Sequence, residues 1–358
     1  MRVLQVDPSA YTPPYDRALC AALARAGAEV TLATSRFDYG DVTPAHGFAV
    51  DDRAFYRWLP GAPGGRLRLA AKLAQHAPDM LRLRRRAADV VHFQWLAVQH
   101  LDAHLLPRAA PTVLTAHDVL PREERTRGQR AAQKRLYEKV DAIVVHSRHG
   151  ERRLVEEAGI DPAKVEVIPH GAFVHLTEIP PAPLPLPDAG RRLVLFFGLL
   201  RPYKGVDVLL DAWRGIDDAE LWIVGRPRMD TAPLRAAAPP NVRFVERFVS
   251  DAEAAALFRR ADVAVLPYRE IDQSGVLFSA LAFGTPLVVS AVGGFPEVEA
   301  AVHVPPGDPA ALREALEALL RDDARRAQLR AAAGRAAASQ YSWDAIAAQH
   351  LDLYARLA

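Results

Sequence analysis

At 358 residues, half of them hydrophobic and a quarter charged, the chain has a globular enzyme's composition and predicts two α/β domains rather than one core. A net charge of +2 argues against wholesale nucleic-acid binding, and a single cysteine, Cys20, excludes a disulfide framework and a thiolate metal cluster. No apolar run approaches the roughly 18 residues that span a bilayer, and no basic-then-apolar leader is present, so a cytoplasmic location is expected.

Strand-like runs alternate with helical patterns, which predicts βαβ units and parallel sheets. In the first half, strands are predicted at 3–6, 29–33, 90–93, 112–115, 142–145 and 165–168. A helix over 15–26 stops at Gly27, and a second, capped by Ser147, runs to 158 before Gly159. Between them, Phe55, Tyr56, Trp58 and Leu59 precede Arg66, Arg68, Lys72, Arg82, Arg84, Arg85 and Arg86, against one acid, Asp79. Two readings stay open here. Either arginines cover a solvated helix and the aromatics are core, or a basic helix lies on an anionic membrane surface. A second basic run, 122–135, is interrupted by Glu123 and Glu124.

Between Gly171 and Gly190 the alternation collapses. Pro180, Pro181, Pro183, Pro185 and Pro187 remove amide donors and favour extended backbone, so a linker over 173–190 is predicted between domains 1–172 and 191–340. Strands resume at 193–197, 220–224, 242–245, 262–266 and 286–289. Helices follow at 206–213, 251–259, 274–283, 309–320 and 323–339, and a last one at 343–357 begins after Ser342. Two such halves would face each other across a cleft.

The most telling segment is LVLFFGLLRPYKG, residues 193–205. Five consecutive apolar residues read as a buried parallel strand, Gly198 breaks it, and Gly205 opens a helix. Arg201 and Lys204 therefore fall in a strand-to-helix loop, at the sheet edge where open α/β folds bind ligands. A guanidinium fork and an ammonium suit a phosphate or diphosphate, although two ordinary basic residues in a solvated loop would read the same. A second loop, 267–273, leads into Ser274-Gly275-Val276 at a helix start. Free amides there favour phosphate oxygens, unless Ser274 is a plain helix cap.

FGLLRPYKG, IVGRP at 223–227, QSGVL at 273–277 and AFGTPLVVSAVGGFPE at 282–297 resemble, in order and spacing, the retaining glycosyltransferases of family 4. The first half resembles them more loosely, through Ala116-His117-Asp118 and VIPHG at 167–171. SWDAIAAQHLDLY at 342–354 resembles the family's closing helix, which returns to the first domain. The resemblance implies a GT-B fold: two Rossmann-like α/β domains facing a central cleft. It also implies a nucleoside-diphosphate sugar as donor and a hydroxyl of a sugar, lipid-linked or small-molecule acceptor. The donor site would comprise Gly198, Arg201, Lys204, Gly225, Arg226, Glu270, Gln273, Ser274, Gly275 and Val276. Arg201 and Lys204 would stabilise charge on the leaving diphosphate. His117 would lie near the reacting sugar, with His92, Gln94 and Asp118 on the acceptor side; hydrogen-bonded structural roles are the alternative for each.

No Asp-x-Asp metal motif is evident, since Asp51-Asp52 and Asp217-Asp218 are adjacent pairs. Fixed cations are expected in place of a divalent metal, with no cofactor. One departure stands out. The family pattern carries two glutamates separated by seven residues, and the matching positions here are Asp272 and Ala280. Glu270, two residues upstream, could substitute for the first. The loss of the second keeps two other readings open: a non-catalytic partner subunit of the same fold, or a sugar-nucleotide epimerase. The base would lie near residues 225–227 and 247–249.

Overall fold

The computed structural model describes residues 1–38, 40, 42, 44–62, 64–96, 98–120 and 128–358. The chain forms two compact units, 1–169 with 343–358, and 170–342. The first holds β1 (Arg2–Asp7), β2 (Glu29–Thr34), β3 (Ala49–Asp51), β4 (Val90–Phe93), β5 (Thr112–Thr115), β6 (Ala142–Val145) and β7 (Val165–Val167). These pair in parallel in the order β3-β2-β1-β4-β5-β6-β7. The second unit holds β8 (Arg192–Phe197), β9 (Ala219–Val224), β10 (Val242–Val245), β11 (Val263–Leu266), β12 (Leu287–Ser290) and β13 (Ala301–Val304). Their order, β10-β9-β8-β11-β12-β13, is again parallel.

In both sheets the strand order reverses at one point, between β1 and β4 and between β8 and β11. Loops that leave the carboxyl ends of those strands diverge and leave room for a ligand. The predicted strands are all present. Two more appear at sheet edges: β3, of three residues, and β13, whose His303 is exposed. Short edge strands lack the continuous apolar run that marks a central one.

The proline-rich segment is not a free linker. It belongs to the second unit, and the division between units falls at 169/170 rather than within 173–190. Prolines lack donors, yet their neighbours' carbonyls still accept. Arg259 donates to the carbonyls of Thr177 and Ile179, the Ala182 amide donates to Ala252, and Arg260 pairs with Asp188 at 2.6 Å.

The last helix, Trp343–Leu357, packs in the first unit, as the resemblance implied. Tyr354 is fully buried there; its hydroxyl meets His92 Nδ1 at 2.6 Å and accepts from Gln5 Nε2 at 3.0 Å. Ser147 caps its helix as predicted, its Oγ accepting from the Gly150 amide at 3.1 Å. In the basic run 122–135, residues 122–127, including Glu123 and Glu124, lie outside the described residues. The remainder enters the helix Gln129–Lys139.

The segment 53–86 divides between its two readings. Phe55 and Tyr56 are core, while Trp58 is 66% exposed. The helix Arg66–Leu83 buries its polar groups: Arg68 pairs with Asp38, Asp79 with Arg82, and His76 Nε2 with Asp102 at 2.5 Å. Its outward face carries Leu67, Leu69, Leu73 and Leu81.

Candidate functional site

In the second unit, the loops after β8 and β11 leave the sheet side by side, at its switch point. Gly198 follows β8 with φ +117, a conformation that favours glycine, and a Cβ there would come within 3.0 Å of Lys204 Nζ and 3.2 Å of Val276 Cγ2. Gly198, Lys204 and Val276 are therefore neighbours, although the predicted site draws them from two separate loops.

Lys204 is buried, with Nζ 3.1 Å from the Tyr268 hydroxyl. Arg201 is half-buried and differs. Its Nε is shut away from water without a hydrogen-bond partner, and its side chain forms no ion pair among the described residues. A guanidinium N–H in that state lacks an acceptor, and an anion supplies one.

Gly225 ends β9 directly beside Gly198, whose amide donates to the Val224 carbonyl at 2.9 Å. With φ +151, a Cβ on Gly225 would overlap the Gly198 carbonyl oxygen. This glycine thus serves close backbone packing under the cation loop. Arg226 is exposed.

The loop after β11 corrects two expectations. Ser274 occupies the N-cap position of the helix Gly275–Ala282, yet its side chain makes no cap bond, so the plain-cap reading fails. Its amide does not join the free donors either, because Gln273 Oε1 accepts from it at 3.0 Å. Gly275 and Val276 remain in the first turn, where no helix carbonyl reaches the amides. Asp272 is buried and Glu270 exposed, on opposite sides of buried Ile271. Ala280 is fully buried inside the helix, and its methyl group offers no carboxylate to a ligand.

In the first unit, His117 leaves β5 half-buried in a ring cage. It stacks on Trp95 at 4.9 Å and 14°, and Tyr15 meets it edge-on at 4.8 Å. Its Nδ1 lies 3.2 Å from His146 Nε2, and its Nε2 lies 3.2 Å from Gln94 Oε1. Asp118 is exposed beside it.

His92 and Gln94 do not line an open surface, contrary to expectation; both are fully buried. His92 joins Tyr354 to Thr115, its Nε2 lying 2.8 Å from the threonine hydroxyl, and burial holds its imidazole well below the usual range, neutral. Gln94 donates to Gln5 Oε1 at 2.8 Å and touches His117, so it sets that ring rather than meeting a solvent-borne molecule.

Sequence reasoning missed Tyr268, Trp95, Tyr15 and His146. Each meets a predicted residue only through the fold. Among the described residues, no three His, Cys, Asp or Glu side chains gather so as to hold a metal ion.

The chain matches the profile described as Glycosyltransferase Family 4 over residues 17–174, and that of Glycosyl transferases group 1 over residues 191–322. It is 37% identical over 235 residues to the phosphatidyl-myo-inositol mannosyltransferase of Mycobacterium leprae, covering 62% of this chain and 61% of that protein. It is 32% identical over 308 residues to the D-inositol 3-phosphate glycosyltransferase of Xylanimonas cellulosilytica, covering 75% and 72%. The fold is that of sucrose-phosphate synthase from Thermosynechococcus elongatus, with TM-score 0.76 and 22% identity over 100% of this chain and 99% of that one. The two doubly wound sheets and these matches define a glycosyltransferase of the GT-B type. The chain belongs to glycosyltransferase family 4.

Proposed function

We propose that this glycosyltransferase moves a sugar from a nucleoside-diphosphate sugar to an acceptor hydroxyl, with retention at the anomeric carbon and without a metal ion. The observation that carries the reading is the cation loop after β8. The Arg201 Nε is buried without an acceptor, and the Lys204 ammonium sits against Gly198 and the helix start at Val276. A diphosphate satisfies both cations, and their fixed charge supports departure of the leaving group.

In the proposed step, the bond from the anomeric carbon to the phosphate oxygen breaks and the acceptor oxygen bonds to the same face of the sugar. The acceptor's proton passes to the departing phosphate oxygen, so no protein nucleophile is needed. His117 is assigned to a hydroxyl of the reacting sugar. The exposed leucines of the helix Arg66–Leu83, with Trp58 and flanking arginines, support a lipid-linked acceptor at an anionic membrane surface.

The test is a thermal-shift panel with UDP, GDP, ADP and dTDP, with and without magnesium. A nucleotide at 100 times its dissociation constant adds about 2.7 kcal/mol of stability. One nucleotide should stand out without magnesium, and proton NMR of the transfer product from its sugar conjugate should show the donor's anomeric configuration. Nucleotide binding without turnover would instead favour a non-catalytic partner subunit, which the buried Ala280 makes the second reading. Isomerisation of the donor without any acceptor would identify an epimerase.

A further inference from the structure

Lys204 carries its charge on a flexible four-carbon stem, so a fixed ammonium needs a group that holds it. One such group is Tyr268, in the loop after β11. The Lys204 Nζ lies 3.1 Å from the phenol oxygen and 4.8 Å from the ring centroid, so one side chain offers both an acceptor and a π face. The ring itself has no freedom. It is fully buried, with Phe196 edge-on at 6.5 Å and Phe295 at 5.6 Å.

An ammonium has donors only, so the phenol oxygen accepts from Lys204 and keeps its own proton for another partner. The phenol oxygen therefore links the cation loop after β8 to the loop after β11.

We propose that Tyr268 is a positioning residue whose hydroxyl sets the Lys204 ammonium where it meets the donor diphosphate. The proposal rests on the assignment of Lys204 to that diphosphate. Being fully buried, Tyr268 does not touch the donor itself.

The test is calorimetric titration of the full chain and of Tyr268→Phe, Lys204→Met and the double variant. The probes are the nucleoside diphosphate that most stabilises the protein and the matching nucleoside, which has no phosphate. Melting curves check that each variant is folded. Tyr268→Phe keeps the ring and should weaken the diphosphate about tenfold, the usual worth of one hydrogen bond to a charged group. Nucleoside affinity should stay within about twofold of the parent, a fraction of one hydrogen bond.

Lys204→Met should weaken the diphosphate at least as much, and the double variant should be no more than about twofold weaker than Lys204→Met, because coupled residues are not additive. Unchanged diphosphate affinity in Tyr268→Phe overturns the proposal, as does full additivity in the double variant. Equal loss of nucleoside and diphosphate affinity marks a merely structural tyrosine and overturns it too. Unchanged diphosphate affinity in Lys204→Met is a different failure: the phosphate assignment itself is then wrong and the tyrosine's role falls with it.

Discussion

His146 and His117 lie 3.2 Å apart, Nε2 to Nδ1, and the backbone decides which ring holds the proton between them. His146 Nδ1 lies 3.0 Å from the Ile168 carbonyl, an acceptor only, so it must carry a hydrogen. Burial pulls His146 down to about 4, so at neutral pH its Nε2 is a bare lone pair. His117 must therefore donate from Nδ1. That leaves its Nε2 facing the Gln94 amide oxygen at 3.2 Å.

The pairing predicts coupled losses. His117→Ala should lower transfer at least about tenfold, in the range of a lost positioned polar group, and His146→Phe should lower it severalfold. The double variant should be no slower than His117→Ala, since His146 acts only through its partner. Initial rates of nucleotide release check this, and multiplicative losses would show that the two rings act separately.

Gly225 is predicted to tolerate no side chain. Gly225→Ala sets a Cβ into the Gly198 carbonyl at φ +151, so β8 and β9 must part where the cation loop begins. Strain of this kind costs about 2 kcal/mol or more. The melting temperature should fall by about 5 °C, with loss of nucleoside-diphosphate binding. Scanning calorimetry with and without nucleotide measures both, and an unshifted melt would contradict the close packing of these strands.

How far the sequence can be read follows from where each signal lives. The run 193–197 announces a buried parallel strand because every residue is apolar, and the glycine and cations after it announce a loop at the sheet edge. His92 ends an equally clear strand, yet its burial depends on Tyr354, which returns from the far end of the chain to cover it. Tyr268 likewise meets Lys204 only because β8 and β11 are adjacent. Local pattern thus exposes strands and loops. It does not expose which polar side chains the fold will bury against one another, nor that Arg259 and Arg260, remote in sequence, satisfy the Pro-rich segment.

His350 gives a pH-dependent prediction. Its Nδ1 meets the Ile346 carbonyl at 2.9 Å, its Nε2 is buried without a partner, and burial pulls it down to about 4. Its ordinary value in the unfolded chain is about 6.5. Between these values the unfolded state binds more protons, so this group takes away stability as pH falls from about 6.5 to about 4. Above that window it takes away none. Burial raises Asp7 and Asp16, which acts in the opposite sense, so the wild type alone would not isolate the histidine. His350→Leu should lose about 2 kcal/mol less than the wild type between pH 7 and pH 5. Thermal melts at the two pH values read the difference, and parallel shifts would place the acid sensitivity elsewhere.

The helix Arg66–Leu83 buries Met80 and Leu83 but also carries leucines on its exposed side. Its inward side holds Arg68, His76 and Asp79 in ion pairs and hydrogen bonds, while Leu67, at 62% exposure, and Leu73, at 53%, stand in water. Arg66, Arg82 and Arg85 are exposed at its two ends, and Trp58 stands out of the preceding segment. Apolar side chains bordered by arginines fit the interface of an anionic bilayer, where leucines enter the acyl boundary and guanidinium groups meet phosphates. Vesicles with anionic lipid should therefore sediment the protein, and neutral vesicles should not. Leu67→Gln with Leu73→Gln should weaken sedimentation at every salt concentration. Arg66→Gln with Arg85→Gln should weaken it most at low salt, about 1 kcal/mol for each arginine near the surface. Both pairs lie in the first unit, outside the second unit that holds the proposed diphosphate site, so the nucleotide thermal shift should be unchanged. Equal binding to neutral and anionic vesicles, or none to either, would reassign this face to a protein partner.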